Sequence, residues 1–119
     1  MSKDLQIYFN PNCSKCRSAL EILEAENSLF EVVRYLEHPL ERGQLEVILD
    51  NLSDPVSDLV RKDRKFSELG LNAADYVTRD SVINLILKHP DLMQRPLIQK
   101  NGKWSIARSP EKILEILRT

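Results

Sequence analysis

Long apolar runs are missing from this chain. None approaches the roughly 20 residues that a membrane-spanning helix requires. Glycine is scarce at three residues and proline stops at six, too few for a low-complexity chain. An excess of charge is missing too. Seventeen Lys and Arg stand against 18 Asp and Glu for a formal charge of -1, which argues against a broad polyanion-binding surface and against direct nucleic-acid binding, while leaving room for a few arginines to converge locally. The opening Met-Ser-Lys-Asp and the short run after it lack the apolar h-region of a signal peptide, so the expected location is the cytoplasm, where thiols stay mostly reduced. No glycine-rich phosphate loop is present to support nucleotide binding. The only cysteines, Cys13 and Cys16, are too close together to staple a fold and too few for a cysteine zinc site. His38 and His89 are scattered, each precedes a proline, and neither completes zinc-finger spacing, so no metal or bound cofactor is expected. What is present is ordinary: 119 residues, 42% hydrophobic and 29% charged, which reads as one domain over residues 1–119.

The order of elements can be read from periodicity. Leu5-Gln6-Ile7-Tyr8-Phe9 alternates and is rich in strand formers, and Asn10-Pro11-Asn12 breaks it. A helical stripe carrying Cys16, Leu20, Ile22 and Leu23 begins at Ser14 and fades at Asn27-Ser28. Residues 30–36 form a second strand candidate, and a strand–helix–strand unit of this kind normally gives two parallel strands with a right-handed crossover. Residues 40–92 read as a helical insertion. Leu45, Ile48, Leu49 and Leu52 form one stripe, and Asp54-Pro55 starts a short helix through about Lys62. A helical turn at residues 66–69 is closed by Gly70, and a further helix starts at Asp80 or Ser81 and is ended by His89-Pro90. Two extended runs then flank Asn101-Gly102, a strong hairpin signal because both turn residues tolerate positive φ. Ser109-Pro110-Glu111 opens a last helix, with Ser109 as N-cap and Pro110 in the first turn.

A CxxC that follows a first strand and opens a helix reads as a thioredoxin-like redox site. The first turn of a helix has unsatisfied N–H groups and a partial positive potential, so a thiolate at Cys13 is favoured over the thiol, with Lys15 and Arg17 adding to the field. Cys16 lies one turn further and is a candidate resolving thiol. The alternative is two small buried cysteines on a helix face. Arg95-Pro96 precedes a strand expected beside the first one. In thioredoxin-like folds a cis-proline occupies this place, although a trans proline at a strand start fits the residues equally well.

Several segments together resemble the arsenate reductase family of the glutaredoxin-coupled type. They are Asn10-Pro11-Asn12-Cys13-Ser14-Lys15-Cys16-Arg17, Tyr35-Leu36-Glu37-His38-Pro39, Leu59-Val60-Arg61-Lys62, His89-Pro90, Arg95-Pro96-Leu97-Ile98 and Ala107-Arg108-Ser109-Pro110-Glu111, in register from about residue 5 to 117. The resemblance implies an α/β, thioredoxin-like fold with a mixed four-stranded sheet and a helical insertion. It implies that Cys13 attacks arsenate and that Arg61, Arg95 and Arg108 hold the oxyanion, with Pro96 as the cis-proline. It also implies glutathione as reductant and glutaredoxin as the partner that resolves the mixed disulfide. Guanidinium forks suit a tetrahedral oxyanion, and their charge also lowers a thiol pKa. Taken singly, Arg61 in its charged run and Arg108 at a strand end read as solvated surface residues.

Cys16 departs from the family pattern, which has another residue at this position. A second thiol there allows an internal disulfide reduced by thioredoxin. It also brings in the Spx-type regulators, which share the fold and carry a CxxC redox switch that acts on the RNA polymerase α-subunit. A general thiol–disulfide reductase is a third reading. The reductase-like opening at Asn10-Pro11 and ending at Arg108-Ser109-Pro110-Glu111 favour the arsenate reductase reading.

Overall fold

The computed structural model describes residues 5–118, which form two compact units. The first joins residues 5–35 to residues 95–118, and the second is Leu36–Gln94.

The first unit holds the sheet. Its strands are β1 (Leu5–Tyr8), β2 (Glu31–Val33), β3 (Leu97–Lys100) and β4 (Lys103–Ile106), and its helices are α1 (Ser14–Ala25) and, last of the five α-helices among the described residues, α5 (Pro110–Leu117). The strand order is β2-β1-β3-β4. β1 and β2 are parallel, as the α1 crossover requires, and the other two pairings are antiparallel. This is the mixed four-stranded sheet that the family resemblance implies.

Alternation along the strands divides the residues between two faces. Leu5 and Ile7 of β1 and Ile98 of β3 join Ala19 and Leu23 of α1 and Ile113 and Ile116 of α5 in one apolar cluster. On the other face Tyr8 meets Trp104 edge to face, with ring centroids 5.0 Å apart. Asn101 and Gly102 have φ of 52° and 83°, the two left-handed residues that a tight β3–β4 turn needs. The Ser109 side chain accepts from the Lys112 N–H, and Pro110 occupies the first turn of α5.

The second unit is helical: α2 (Arg42–Asp50), α3 (Arg64–Glu68) and α4 (Arg79–Lys88), with 3-10 turns at Val56–Leu59, Ala73–Asp75 and Pro90–Leu92. α2 and α4 pack on each other through buried Leu45, Ile48 and Leu49 and buried Val82, Ile83, Leu85 and Ile86. Gly70 closes α3 with φ of 71°. Among the described residues, no helix is long and apolar enough to cross a membrane.

Three expected boundaries differ. The second strand is shorter than residues 30–36, because pairing with β1 stops at Val33 and the chain then turns. The helix expected from Asp54-Pro55 to Lys62 is one 3-10 turn. Pro55 caps it, and Val60 leaves in an extended conformation to bridge Met93. Arg61 N–H donates to Leu92 O at 2.6 Å and Gln94 N–H to Leu59 O at 2.8 Å, so non-local hydrogen bonds replace the helical ones. α4 starts at Arg79, one or two residues early, because Thr78 and Ser81 form a reciprocal capping box.

Candidate active site

The loop after β1 is built by Asn10. Its side chain is buried, and its Oδ1 accepts from the Asn12 N–H at 3.0 Å. Its carbonyl accepts from the Cys13 N–H, also at 3.0 Å, closing a turn that delivers Cys13 to the N-cap of α1. Cys13 is extended there, with φ of -104° and ψ of 120°, and its carbonyl accepts the first helical bond from Arg17 at 3.2 Å.

Cys13 is partly exposed, whereas Cys16, one turn on, is fully buried; both are free thiols. The Arg95-Pro96 peptide is cis and immediately precedes β3. Since β3 lies beside β1, this junction comes to the end of the strand that feeds the cysteine loop. Tyr35, just after β2 on the other side of β1, is 1% exposed. Thus Cys13, Cys16, Arg95 and Tyr35 act on one another.

The two thiols are driven in opposite directions. Burial pushes the Cys13 thiol up, but the Cys16 backbone N–H, the Cys16 thiol, the Arg95 guanidinium and the Lys15 backbone N–H outweigh it and hold the thiol below its ordinary range. The cation acting here is Arg95, while Lys15 acts through its backbone. The Cys13 side chain makes no capping hydrogen bond of full geometry, so the helix start works on it chiefly as a favourable local field. Cys16 is pushed up to about 12, first of all by burial; the Asn10 backbone opposes this, the sulfur of Cys13 adds to the rise, and Arg95 lowers it a little. Burial pulls the Arg95 guanidinium down, but Tyr35 and Cys13 more than offset it.

The other two arginines have different surroundings. Arg108 is exposed and lines a cleft of about 240 Å³ between α1 and the start of α5, with Ser14, Lys15 and Ser18 on its α1 side. Arg61 belongs to the helical unit, where its Nε pairs with Asp63 at 3.1 Å. His89 ends α4, as its preceding-proline position suggests. Sequence reasoning gave no role to Asn10 or Tyr35. Asn10 was signalled by the Asx turn implicit in Asn-Pro-Asn. Tyr35 had no local signal beyond its place in the segment after the second strand.

A sheet of this topology, with a cysteine at the start of α1 and a cis-proline opening the antiparallel neighbour of β1, defines a thioredoxin-like thiol domain. The model of the ArsC family matches residues 8–116. A protein of Escherichia coli K12 described as uncharacterized protein YfgD is 38% identical over 98% of this chain and 99% of its own. An arsenate reductase of Neisseria meningitidis is 35% identical over 96% of this chain and 98% of its own. The solved arsenate reductase of Vibrio cholerae superposes with a TM-score of 0.80 at 31% identity, over 94% of this chain and 96% of that one. The chain belongs to the ArsC family, and its sequence and fold are arsenate reductase-like.

Proposed function

We propose that this protein is a thiol-dependent reductase of a tetrahedral oxyanion such as arsenate, with Cys13 as nucleophile. One observation carries the reading. A partly exposed cysteine has its thiol held below the ordinary range at the start of a helix, in contact with a guanidinium. The thiolate is the attacking form, and the cation that stabilises it also suits an incoming oxyanion. The similarity to proteins described as arsenate reductases supports arsenate as the first substrate to test.

In this reading Cys13 Sγ attacks arsenic. A sulfur–arsenic bond forms, and one arsenic–oxygen bond breaks, its oxygen leaving as water with protons from substrate and solvent. A second thiol then attacks Cys13 Sγ. A disulfide forms, the sulfur–arsenic bond breaks, and its electron pair stays on arsenic, which leaves as arsenite. Two thiols are oxidised and arsenic is reduced by two electrons. Arg95 and Arg108 bind and polarise the oxyanion through planar donor forks, and for Arg61 the same role rests on the family resemblance alone.

Glutathione is the second thiol, glutaredoxin reduces the mixed disulfide, and no resident cofactor takes part. Cys16 is the internal alternative. Its contact with Cys13 favours a direct disulfide, but burial and a thiol pushed up to about 12 make it a poor attacker. The deciding experiment is arsenate turnover with glutathione and glutaredoxin, or with thioredoxin, in wild type, Cys16→Ser and Cys13→Ser. Glutathione-dependent turnover that survives Cys16→Ser and vanishes in Cys13→Ser is expected. Turnover driven only by thioredoxin and lost in Cys16→Ser would move the resolving role to Cys16. No arsenate turnover with either reductant removes the substrate assignment.

A further inference from the structure

Tyr35 is a buried residue with a polar atom that the mechanism above leaves unused. Its side chain is 1% exposed, and its hydroxyl is buried without a hydrogen bond of full geometry. A hydroxyl in that position is unfavourable unless it does something, since phenylalanine would fill the same space with no polar atom to bury. The neighbours of Tyr35 make the position specific. Arg95 acts on its hydroxyl both by charge and by side-chain contact, and both cysteine sulfurs lie close enough to influence it.

We infer that Tyr35 is a positioning residue whose hydroxyl oxygen accepts from the Arg95 guanidinium and holds that guanidinium against the Cys13 sulfur. The inference rests on the reading of Cys13 as an activated nucleophile and deepens it. A guanidinium offers five N–H donors in a rigid plane and no acceptor. A single contact with the thiolate leaves the plane free to turn. A second acceptor on another edge fixes it. The phenol suits that task because it stays neutral, its ionisation pushed up to about 12 by burial, so it accepts from Arg95 without competing as an anion for its charge. The chain order fits as well: Tyr35 follows β2 and Arg95 precedes β3, so the two strands flanking β1 each bring one member of the pair to the loop that carries Cys13.

The test is the pH dependence of iodoacetamide alkylation of Cys13, in Cys16→Ser and in Cys16→Ser with Tyr35→Phe, alongside thermal melts. The groups that face Cys13 are Cys16, Arg95 and Tyr35, and serine at 16 keeps a donor toward the sulfur. Loss of the hydroxyl should raise the alkylation midpoint by about half a unit to one unit, a loss of roughly three- to tenfold in thiolate below the midpoint. The melting temperature should change little. A lowered midpoint shared by both variants overturns the role of Tyr35 and leaves the nucleophile reading standing. A midpoint at the free-cysteine value before Tyr35 is touched overturns both. Should Tyr35→Phe not fold, the Cζ resonance of Tyr35 in the Cys16→Ser protein, followed by NMR, gives the answer. It should shift as Cys13 titrates, and a resonance that stays fixed overturns the inference.

Discussion

Cys13 and Cys16 are the same residue type, one helical turn apart, yet they have opposite chemistry. Cys13 is partly exposed, with backbone N–H groups and a guanidinium favouring its thiolate, whereas Cys16 is buried and stays protonated. Brief alkylation of the native protein near neutral pH should therefore label Cys13 alone, with Cys16 labelled only after denaturation. Peptide mass spectrometry checks this, and equal labelling of the two would contradict it. Arg95 and Arg108 should matter for oxyanion binding more than for folding. A charge-assisted hydrogen bond is worth about 1.5–3 kcal/mol, so each alanine variant should raise KM for arsenate by roughly 10- to 100-fold. The melting temperature of the exposed Arg108→Ala should change little, whereas Arg95→Ala also takes the donor from the buried Tyr35 hydroxyl and should lower it modestly. Wild-type KM in both variants would refute the assignment. The spacing of the two cysteines was visible in the sequence, and the first turn of a helix predicts the direction of Cys13. The contact between Tyr35 and Arg95 was not visible. They are sixty positions apart in the chain, and a tyrosine after a strand reads locally as an ordinary strand former.

At the scale of elements, legibility follows how local the decisive interactions are. The β3–β4 turn and the start of α5 were readable because their residues carry the cause themselves, Asn101 and Gly102 by left-handed φ and Ser109 by its capping oxygen. The early end of β2 and the loss of the helix after Pro55 were not readable. In both cases the boundary is set by a distant partner, β1 in the first and the Leu92–Gln94 backbone in the second. The cap and the core also differ in what they contribute to stability. Ser109→Ala removes one bond to the Lys112 N–H and should destabilise by about 1 kcal/mol. Leu23→Ala removes a fully buried side chain from the α1–sheet cluster and should cost about 2–5 kcal/mol. Urea unfolding of the two variants measures both. A Leu23→Ala effect no larger than that of Ser109→Ala would show that α1 is held by something other than the cluster.

Over the whole molecule, a formal charge of -1 conceals a local arrangement in which protons are held unusually tightly next to a thiolate. This couples global stability to alkaline pH. Cys16 is raised from 9.0 to about 12 and Tyr35 from 10.0 to about 12, each chiefly by burial. Below the lower values both groups are protonated in the folded and the unfolded chain alike. Between about 9 and 12 the unfolded chain releases these protons and the folded chain keeps them. The folded state then binds more protons, so stability falls as pH rises through that window. Cys13 has the opposite sign: its lowered pKa adds stability above its unfolded value, and that stability is lost as pH falls through the folded value. From about 10 upward Cys13 is ionised in both states and contributes a constant. The informative quantity is the difference between wild type and Cys16→Ser, in which the groups common to both cancel. Urea midpoints measured from pH 8 to 11 under reducing conditions should decline more steeply in wild type than in Cys16→Ser, with the two curves parting above about pH 9. Parallel curves would mean that the Cys16 thiol ionises as easily in the folded protein as in the unfolded chain. It would then no longer be held protonated by burial, and the case for an external thiol as the resolving partner would lose its physical basis.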